Sequence, residues 1–306
     1  KKIQPYFLKA ILFFITIFIT YSLFFLMTNI QENQKISNNL TIKELEQKMA
    51  PSVGFDEICI HGVIDYKCSN SLKPEVVIWG DSHAMHLVKS FIKSNKNIKL
   101  VQLTKNTCLP ILNIAPKNYD SLQEKKWGND CIKFNQDVIN YINKTKSIRY
   151  VILSGAFEKY LLKSKFYSNK KDDIFLDYDS LREKLLNTIT EIEKNNIEPI
   201  IISSIPSPEN LDVHKCLKNR TIFNSNPNRC NFKKIDTKPS FLRGKEFILS
   251  LNNYKKVLMD EILCANEICK VYLDNKYIYR DNEHLSVNGS EYIGSKFDFY
   301  KFIYEK

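Results

Sequence analysis

Short apolar runs alternate with longer stretches of helical periodicity over most of the chain. Five runs have the length and composition of buried strands: residues 75–79, 98–104, 148–153, 199–204 and 270–274. Five stretches carry apolar residues at helical spacing: residues 84–94, 131–141, 181–193, 246–263 and 287–302. Apolar strands that alternate with helices are typical of a parallel sheet covered on both faces. The pattern therefore predicts a three-layer α/β/α domain of flavodoxin-like type.

The beginning of the chain has a different pattern. Residues 6–27 are apolar except for Lys9 and a few hydroxyl groups, which is about the twenty residues that an α-helix needs to cross a bilayer. Lys1, Lys2 and Lys9 lie at the N-terminal side of this stretch. The positive-inside rule therefore places the residues that follow the stretch outside the cytoplasm. We predict a transmembrane helix in residues 1–28, a linker in 29–50 that is either polar chain or a short amphipathic helix, and one folded domain in 51–306. A cleaved signal peptide is the alternative, although no A-x-A-like exit follows the apolar stretch.

The charge of the chain excludes one broad class of partner. The net charge is +11, but lysines are spread along the sequence among aspartates and glutamates. No long run of basic residues stands out in the sequence, either alone or interleaved with aromatic residues, so we expect no nucleic-acid binding. A basic surface beside a membrane or an anionic envelope polymer is the simpler explanation.

All eight cysteines follow the apolar N-terminal stretch. An even number of cysteines outside the cytoplasm predicts disulfides, although spacing alone leaves their connectivity open. A zinc site would need paired or clustered cysteine and histidine ligands, and the five histidines do not group in that way. We therefore predict disulfides and no metal site.

Gly80-Asp81-Ser82-His83 directly follows the first predicted strand. Ligands of open α/β sheets bind at the carboxyl ends of strands, where the chain turns into a helix. Gly80 allows a tight bend, and the amide of Ser82 can point toward a developing oxyanion. The alternative is a capped strand-to-helix connection with Asp81 or Ser82 as N-cap.

Asp281 and His284 lie near the end of the chain, three residues apart. A serine hydroxyl needs a histidine to accept its proton and a carboxylate to hold that histidine in the correct tautomer. Ser82, His284 and Asp281 supply these groups. His83 and His86 are competing bases, and Glu283 is a competing acid, but none has spacing that suits the role as well.

These two motifs resemble the SGNH (GDSL-type) hydrolase superfamily. More narrowly, they resemble the extracytoplasmic SGNH domain fused to membrane acyltransferase-3 proteins, which O-acetylate cell-surface glycans. The resemblance implies Ser82, Asp281 and His284 as catalytic residues in a catalytic domain of residues 51–306. Because the chain begins with Lys1 rather than methionine, residues 1–28 would be the last helix of a longer membrane protein.

The resemblance also bears on the cysteines. The family carries similar cysteines in loops, and short loops close at the smallest entropic cost. Pairing of neighbours in sequence is therefore expected: Cys59 with Cys68, Cys108 with Cys131, Cys216 with Cys230 and Cys264 with Cys269.

The oxyanion hole is the least regular part of the pattern. SGNH enzymes generally add a glycine after the second strand and an asparagine after the third. Here the second strand is followed by residues that include Asn106, and the third ends in Ser154-Gly155-Ala156. The predicted donors are the Ser82 amide, Ser154 and Asn106. Gly128-Asn129-Asp130 matches the end of the GxND motif that carries the family's asparagine, but it precedes a helix instead of following a core strand.

Three functions remain open at this point. The first is transfer of an acyl group, most simply acetyl, to a surface glycan such as lipopolysaccharide O-antigen or peptidoglycan. The resemblance implies that a membrane acyltransferase-3 domain, as partner, delivers acetyl groups from cytoplasmic acetyl-CoA, with no cofactor bound by this domain. The second is a carbohydrate esterase with the same three residues, and the third is a non-catalytic glycan-binding domain. The expected location is the cytoplasmic membrane, with the domain periplasmic or extracellular.

Overall fold

Five parallel strands form the central sheet in this computed structural model, which describes residues 5–33, 35–36, 40–117, 121–169 and 173–305. The strands are β1 (Val76–Gly80), β2 (Leu100–Thr104), β3 (Tyr150–Ser154), β4 (Glu198–Ile202) and β5 (Lys255–Val257). They lie in the order β5-β4-β3-β1-β2, and every neighbouring pair is parallel. This is the flavodoxin-like order, so the predicted fold class is confirmed.

Helices cover both faces of the sheet. They are α2 (Ile42–Lys48), α3 (Ser82–Met85), α4 (Val88–Ser94), α5 (Leu122–Lys144), α6 (Tyr178–Glu193), α7 (Val213–Ile222), α8 (Pro239–Leu249), α9 (Met259–Leu263), α10 (Val287–Lys296) and α11 (Phe299–Tyr304). Among the residues whose side chains the structure describes, the N-terminal helix α1 (Pro5–Asn33) contributes none to either core. Val77 and Trp79 of β1 pack with α5, α6 and α8 on one face. Val76 and Ile78 pack with α4, α10 and α11 on the other. Because successive strand residues point to opposite faces, an apolar strand builds two cores at once.

Shorter strands form additional small sheets outside the central one. Lys35–Ile36 pairs with Leu40–Thr41, and Tyr272–Leu273 pairs with Lys276–Tyr277. Two further sheets have three strands each: Ile114–Pro116 with Ser164–Ser168 and Ile174–Leu176, and Phe232–Lys233 with Ile268–Cys269 and Cys264–Ala265.

The fifth strand and its neighbouring helix differ from the sequence prediction. The predicted strand at residues 270–274 lies in the small hairpin, whereas β5 lies within the predicted helix 246–263. That helix is divided into α8 and α9, and the predicted final helix is divided into α10 and α11. β5 is a short strand at the edge of the sheet and begins with two half-buried lysines. It therefore lacks the apolar run that marks a strand covered on both faces.

The N-terminal part also departs from the prediction. Residues 5–33 are helical, but no helix among the described residues is long and apolar enough to cross a membrane. The predicted transmembrane helix in residues 1–28 is therefore not supported. Within residues 29–50, Leu45 of α2 and Met49 directly after it are buried in the core, so the expected short helix forms. That segment is thus partly packed rather than only a linker.

Four disulfides hold the loops of the domain. They join Cys59 to Cys68, Cys108 to Cys131, Cys216 to Cys230 and Cys264 to Cys269. These are the expected pairs of neighbours in sequence.

Candidate active site

Ser82 lies at the carboxyl edge of the sheet, where β1 turns into α3. A Cβ atom at Gly80 would lie 1.7 Å from the carbonyl oxygen of Ser154, so only glycine allows β1 to approach β3 this closely. Asp81 caps α3, because its Oδ1 accepts a hydrogen bond of 2.8 Å from the His83 amide. Ser82 is then the first residue of the helix, and its amide has no intrahelical acceptor.

The second carboxylate oxygen of Asp81 binds a different part of the chain. Asp81 Oδ2 accepts a hydrogen bond of 2.9 Å from the Ala156 amide, just after β3. Asp81 is 2% exposed. One buried carboxylate therefore fixes both the turn that carries Ser82 and the loop after β3, whereas the sequence pointed only to helix capping by Asp81.

His284 brings its imidazole to Ser82 from the other end of the sequence. Its Nε2 lies 2.9 Å from Ser82 Oγ. The loop that carries His284 is closed by a backbone hydrogen bond from Arg280 to His284 and by a bridge between Tyr279 and Leu285. The predicted serine and histidine are thus brought together.

Asp281 holds the other side of the imidazole. Its carboxylate oxygens lie 2.9 and 3.0 Å from His284 Nδ1, and Oδ1 also accepts hydrogen bonds from the amides of Glu283 and His284. Burial opposes ionisation of this carboxyl, but the hydrogen bond and charge of His284 outweigh it and lower the pKa of Asp281 to about 2. An ionised Asp281 requires Nδ1 to carry the proton, which leaves Nε2 as the acceptor for the Ser82 hydroxyl.

The two competing histidines are buried beside this arrangement. His86 Nδ1 accepts a hydrogen bond of 3.4 Å from the Leu285 amide. Burial, together with the charges of His83 and His284, holds the pKa of His86 well below its ordinary value. The His83 ring lies 5.5 Å from that of His284, and neither of its nitrogens has a hydrogen-bond partner among the described residues. His284 is thus the imidazole that meets Ser82 Oγ, while His86 supports its loop.

Glu283, the competing acid, is engaged elsewhere. Its carboxylate pairs with Lys159 at 2.7 Å and with Lys238 at 3.3 Å. Burial opposes ionisation of Glu283, but the two lysines outweigh it and lower its pKa. Glu283 therefore ties the His284 loop to the segments after β3 and before α8. These two ion pairs could not be predicted, because both lysines are distant from Glu283 in the sequence.

The predicted oxyanion donors other than the Ser82 amide do not form an evident pair. Ser154 is fully buried at the end of β3, and its hydroxyl has no hydrogen-bond partner in the described part of the chain. Asn106 is exposed, and its backbone amide donates a hydrogen bond to the carbonyl of Ile60. Gly128-Asn129-Asp130 lies inside α5 rather than at the sheet edge, as expected for a chance match.

An open cleft extends from His284 toward α7. It is lined by residues 209–212 and His214 on one side and by residues 281–284 on the other, with a volume of about 660 Å³. Segment 206–240, which is rich in proline and asparagine, thus borders the site and is held by the Cys216–Cys230 disulfide. Among the residues that the structure describes, no three histidine, cysteine or acidic side chains have an arrangement suited to a metal ion.

The strand order, together with a serine, a histidine and an aspartate in hydrogen-bonded series at the carboxyl edge, defines an α/β protein with the SGNH hydrolase fold. The chain belongs to the family of SGNH domains fused to AT3 domains, which matches residues 48–299.

The chain is also similar to several solved structures. The periplasmic domain of the lipopolysaccharide acetyltransferase of Salmonella ser. Paratyphi A is 18% identical, with a TM-score of 0.57 over 78% of this chain and 89% of that chain. A putative acylhydrolase from Bacteroides fragilis is 12% identical, with a TM-score of 0.38 over 74% of this chain and 86% of that chain. Est24, a carbohydrate acetylesterase from Sinorhizobium meliloti, is 9% identical, with a TM-score of 0.33 over 72% of this chain and 95% of that chain. No curated protein matches the chain in sequence.

Proposed function

We propose that this protein is an O-acyltransferase that moves an acetyl group to a hydroxyl of a cell-surface glycan through an acyl-serine intermediate. The observation that carries the proposal is the hydrogen-bonded series from Ser82 Oγ through His284 to Asp281, with donor-acceptor distances of 2.9 Å at both steps. The distance from Ser82 to His284 is within the range needed for proton transfer, and that from His284 to Asp281 is within hydrogen-bond range.

The acylation step uses His284 as a base. Ser82 Oγ attacks the acetyl carbonyl carbon as its proton passes to His284 Nε2. The Ser82 amide donates a hydrogen bond to the oxyanion. When the tetrahedral intermediate collapses, the bond from the acetyl carbon to the donor breaks, and the proton on Nε2 passes to the leaving group. Asp281 stabilises the imidazolium throughout.

The transfer step repeats this chemistry with a sugar hydroxyl as nucleophile. His284 Nε2 accepts the hydroxyl proton while the oxygen attacks the acetyl-serine carbonyl. Collapse forms the sugar ester, breaks the bond to Ser82 Oγ and returns the proton to Ser82. Water in place of the sugar would give hydrolysis, so the same site can act as an esterase when no acceptor is bound.

The family suggests the source of the acetyl group. Since related SGNH domains are fused to AT3 domains, we propose that a membrane acyltransferase-3 domain, in the same polypeptide, passes on acetyl groups that originate from acetyl-CoA. The four disulfides favour an oxidising compartment. A periplasmic or extracellular site, where surface glycans are accessible, fits both observations.

An acceptor experiment distinguishes transfer from hydrolysis. The purified chain is given p-nitrophenyl acetate with and without a glycan acceptor, and the products are analysed by mass spectrometry. Transfer predicts an acetylated glycan whose formation requires Ser82. Release of acetate at the same rate, with no acetylated glycan for any acceptor, would indicate an esterase instead.

A further inference from the structure

The cleft beside His284 has two walls that are fixed to each other. Asn282 Oδ1 accepts a hydrogen bond of 2.8 Å from the Val213 amide, and its Nδ2 donates to the Leu211 carbonyl at 2.7 Å. His214 Nδ1 lies 3.1 Å from the Arg280 carbonyl. The α7 wall is therefore held directly against the loop that carries Asp281 and His284.

The same contacts leave particular groups free to face a ligand. The Arg280 carbonyl can only accept, so His214 Nδ1 carries a proton and donates it, which leaves Nε2 without a contact to the described residues of this wall. Both the oxygen and the nitrogen of the Asn282 side-chain amide are hydrogen-bonded to the opposite wall, so this side chain holds the cleft together rather than facing a ligand. The volume of about 660 Å³ falls within the range of small-molecule sites.

The carboxylates of the cleft are not equally neutralised. Glu283 is paired with Lys159 and Lys238. Glu209 and Asp212 are exposed and form no ion pair within the described ranges of the chain. Asp212 Oδ1 accepts a hydrogen bond from the Lys215 amide and so caps α7. Asp281, the fourth carboxylate, lies beside Arg280 and His284. Glu209 and Asp212 therefore give one wall of the cleft two carboxylates without a cationic partner among the described residues, on a chain whose net charge is +11.

We propose that this cleft is the acceptor subsite and that it selects a hydroxyl-rich sugar that is neutral or carries an amino group. The inference rests on the acyl-transfer function proposed above, because His284 lies at one end of the cleft and must reach the acceptor hydroxyl. Carboxylates accept hydrogen bonds from sugar hydroxyls and attract ammonium groups, whereas they repel uronate and phosphate. The local field thus opposes the preference for anions that the net charge alone would give.

A binding experiment tests this without turnover. The full chain with Ser82→Ala is titrated by calorimetry with three trisaccharides of equal length: maltotriose, deacetylated chitotriose and trigalacturonate. We expect the amino sugar and the neutral sugar to bind at least about tenfold more tightly than trigalacturonate. Adding Glu209→Gln and Asp212→Asn should reduce this difference, and the loss of affinity should be largest for the amino sugar. Asparagine keeps the cap of α7, so the fold is retained.

The matched control is Glu291→Gln, which removes an exposed carboxylate from α10, outside the cleft. It should leave the three affinities in the same ratio. Tighter binding of trigalacturonate, no binding of any trisaccharide, or an equal effect of the control would overturn the proposed subsite. Since Ser82→Ala cannot form an acyl-serine, these outcomes are independent of whether Ser82 is the nucleophile, which is tested separately below.

Discussion

His284 Nε2 lies 2.9 Å from Ser82 Oγ, although the two residues are 202 positions apart in the chain. Ser82 lies at the turn between β1 and α3, and the loop that carries His284 is joined to the end of α3 by the hydrogen bond from the Leu285 amide to His86 Nδ1. The proposed chemistry depends on this approach.

Replacing Asp281 by asparagine should reduce activity much more than stability. Asparagine cannot stabilise an imidazolium and can reverse the tautomer of His284, so we expect the hydrolysis of p-nitrophenyl acetate to fall by about 10³- to 10⁴-fold. Steady-state kinetics measure the loss. Asp130→Asn, on the exposed face of α5, is the matched control and should retain full activity. Comparable activity in Asp281→Asn would remove Asp281 from the mechanism.

Replacing Asp81 by alanine should destabilise the fold as well as the site. The amides of His83 and Ala156 would lose their acceptor inside the protein, and an unsatisfied buried amide costs about 1–3 kcal/mol. Urea denaturation should show this loss. Asp81→Asn keeps an acceptor for one amide but places a donor against the other, so its stability should be intermediate. Wild-type stability in the alanine variant would show that these contacts are unimportant.

The sequence predicted the parts of the molecule that depend on local pattern. Four central strands follow apolar runs, and the Ser82 and His284 motifs stand at recognisable turns. β5 was not predicted, because an edge strand with two lysines lacks that pattern. The contacts of Asp81 with Ala156 and of Glu283 with its two lysines were not predicted either. They join distant segments, and their geometry exists only after the sheet has formed.

Mild acid should destabilise the protein through His86. Its pKa is lowered in the folded state by burial and by His83 and His284, so below the ordinary histidine pKa the unfolded chain binds a proton that the folded chain does not. The free energy of unfolding should therefore fall as the pH drops from about 6.5 to 5, by up to about 1.4 kcal/mol per pH unit from this one group.

The variant His86→Asn tests this assignment. Asparagine keeps an acceptor for the Leu285 amide but cannot bind a proton in this range. Urea denaturation at several pH values should show a flatter dependence than in the wild type. An unchanged slope in the variant would assign the acid sensitivity to another group.

Loss of the Cys216–Cys230 disulfide should destabilise the wall of the cleft. Replacing both cysteines by serine should lower the free energy of unfolding by about 2–4 kcal/mol, because the unfolded chain gains freedom. Chemical denaturation without reductant measures the change. When both proteins are reduced, the difference between their free energies of unfolding should become smaller. Thiol titration of the unfolded, unreduced wild type should find no free cysteine, and several free thiols would contradict the disulfide assignment.

Direct detection of the acyl-enzyme tests the central claim. The chain is mixed with p-nitrophenyl acetate, quenched with acid within seconds, digested and analysed by tandem mass spectrometry. We predict one acetyl group on the peptide that contains Ser82, absent in Ser82→Ala and still present in Ser295→Ala, which changes an exposed serine of α10. The acetyl group should move to a glycan acceptor when one is added before the quench. An acetyl group on another residue, or equal labelling of Ser82→Ala, would contradict the account.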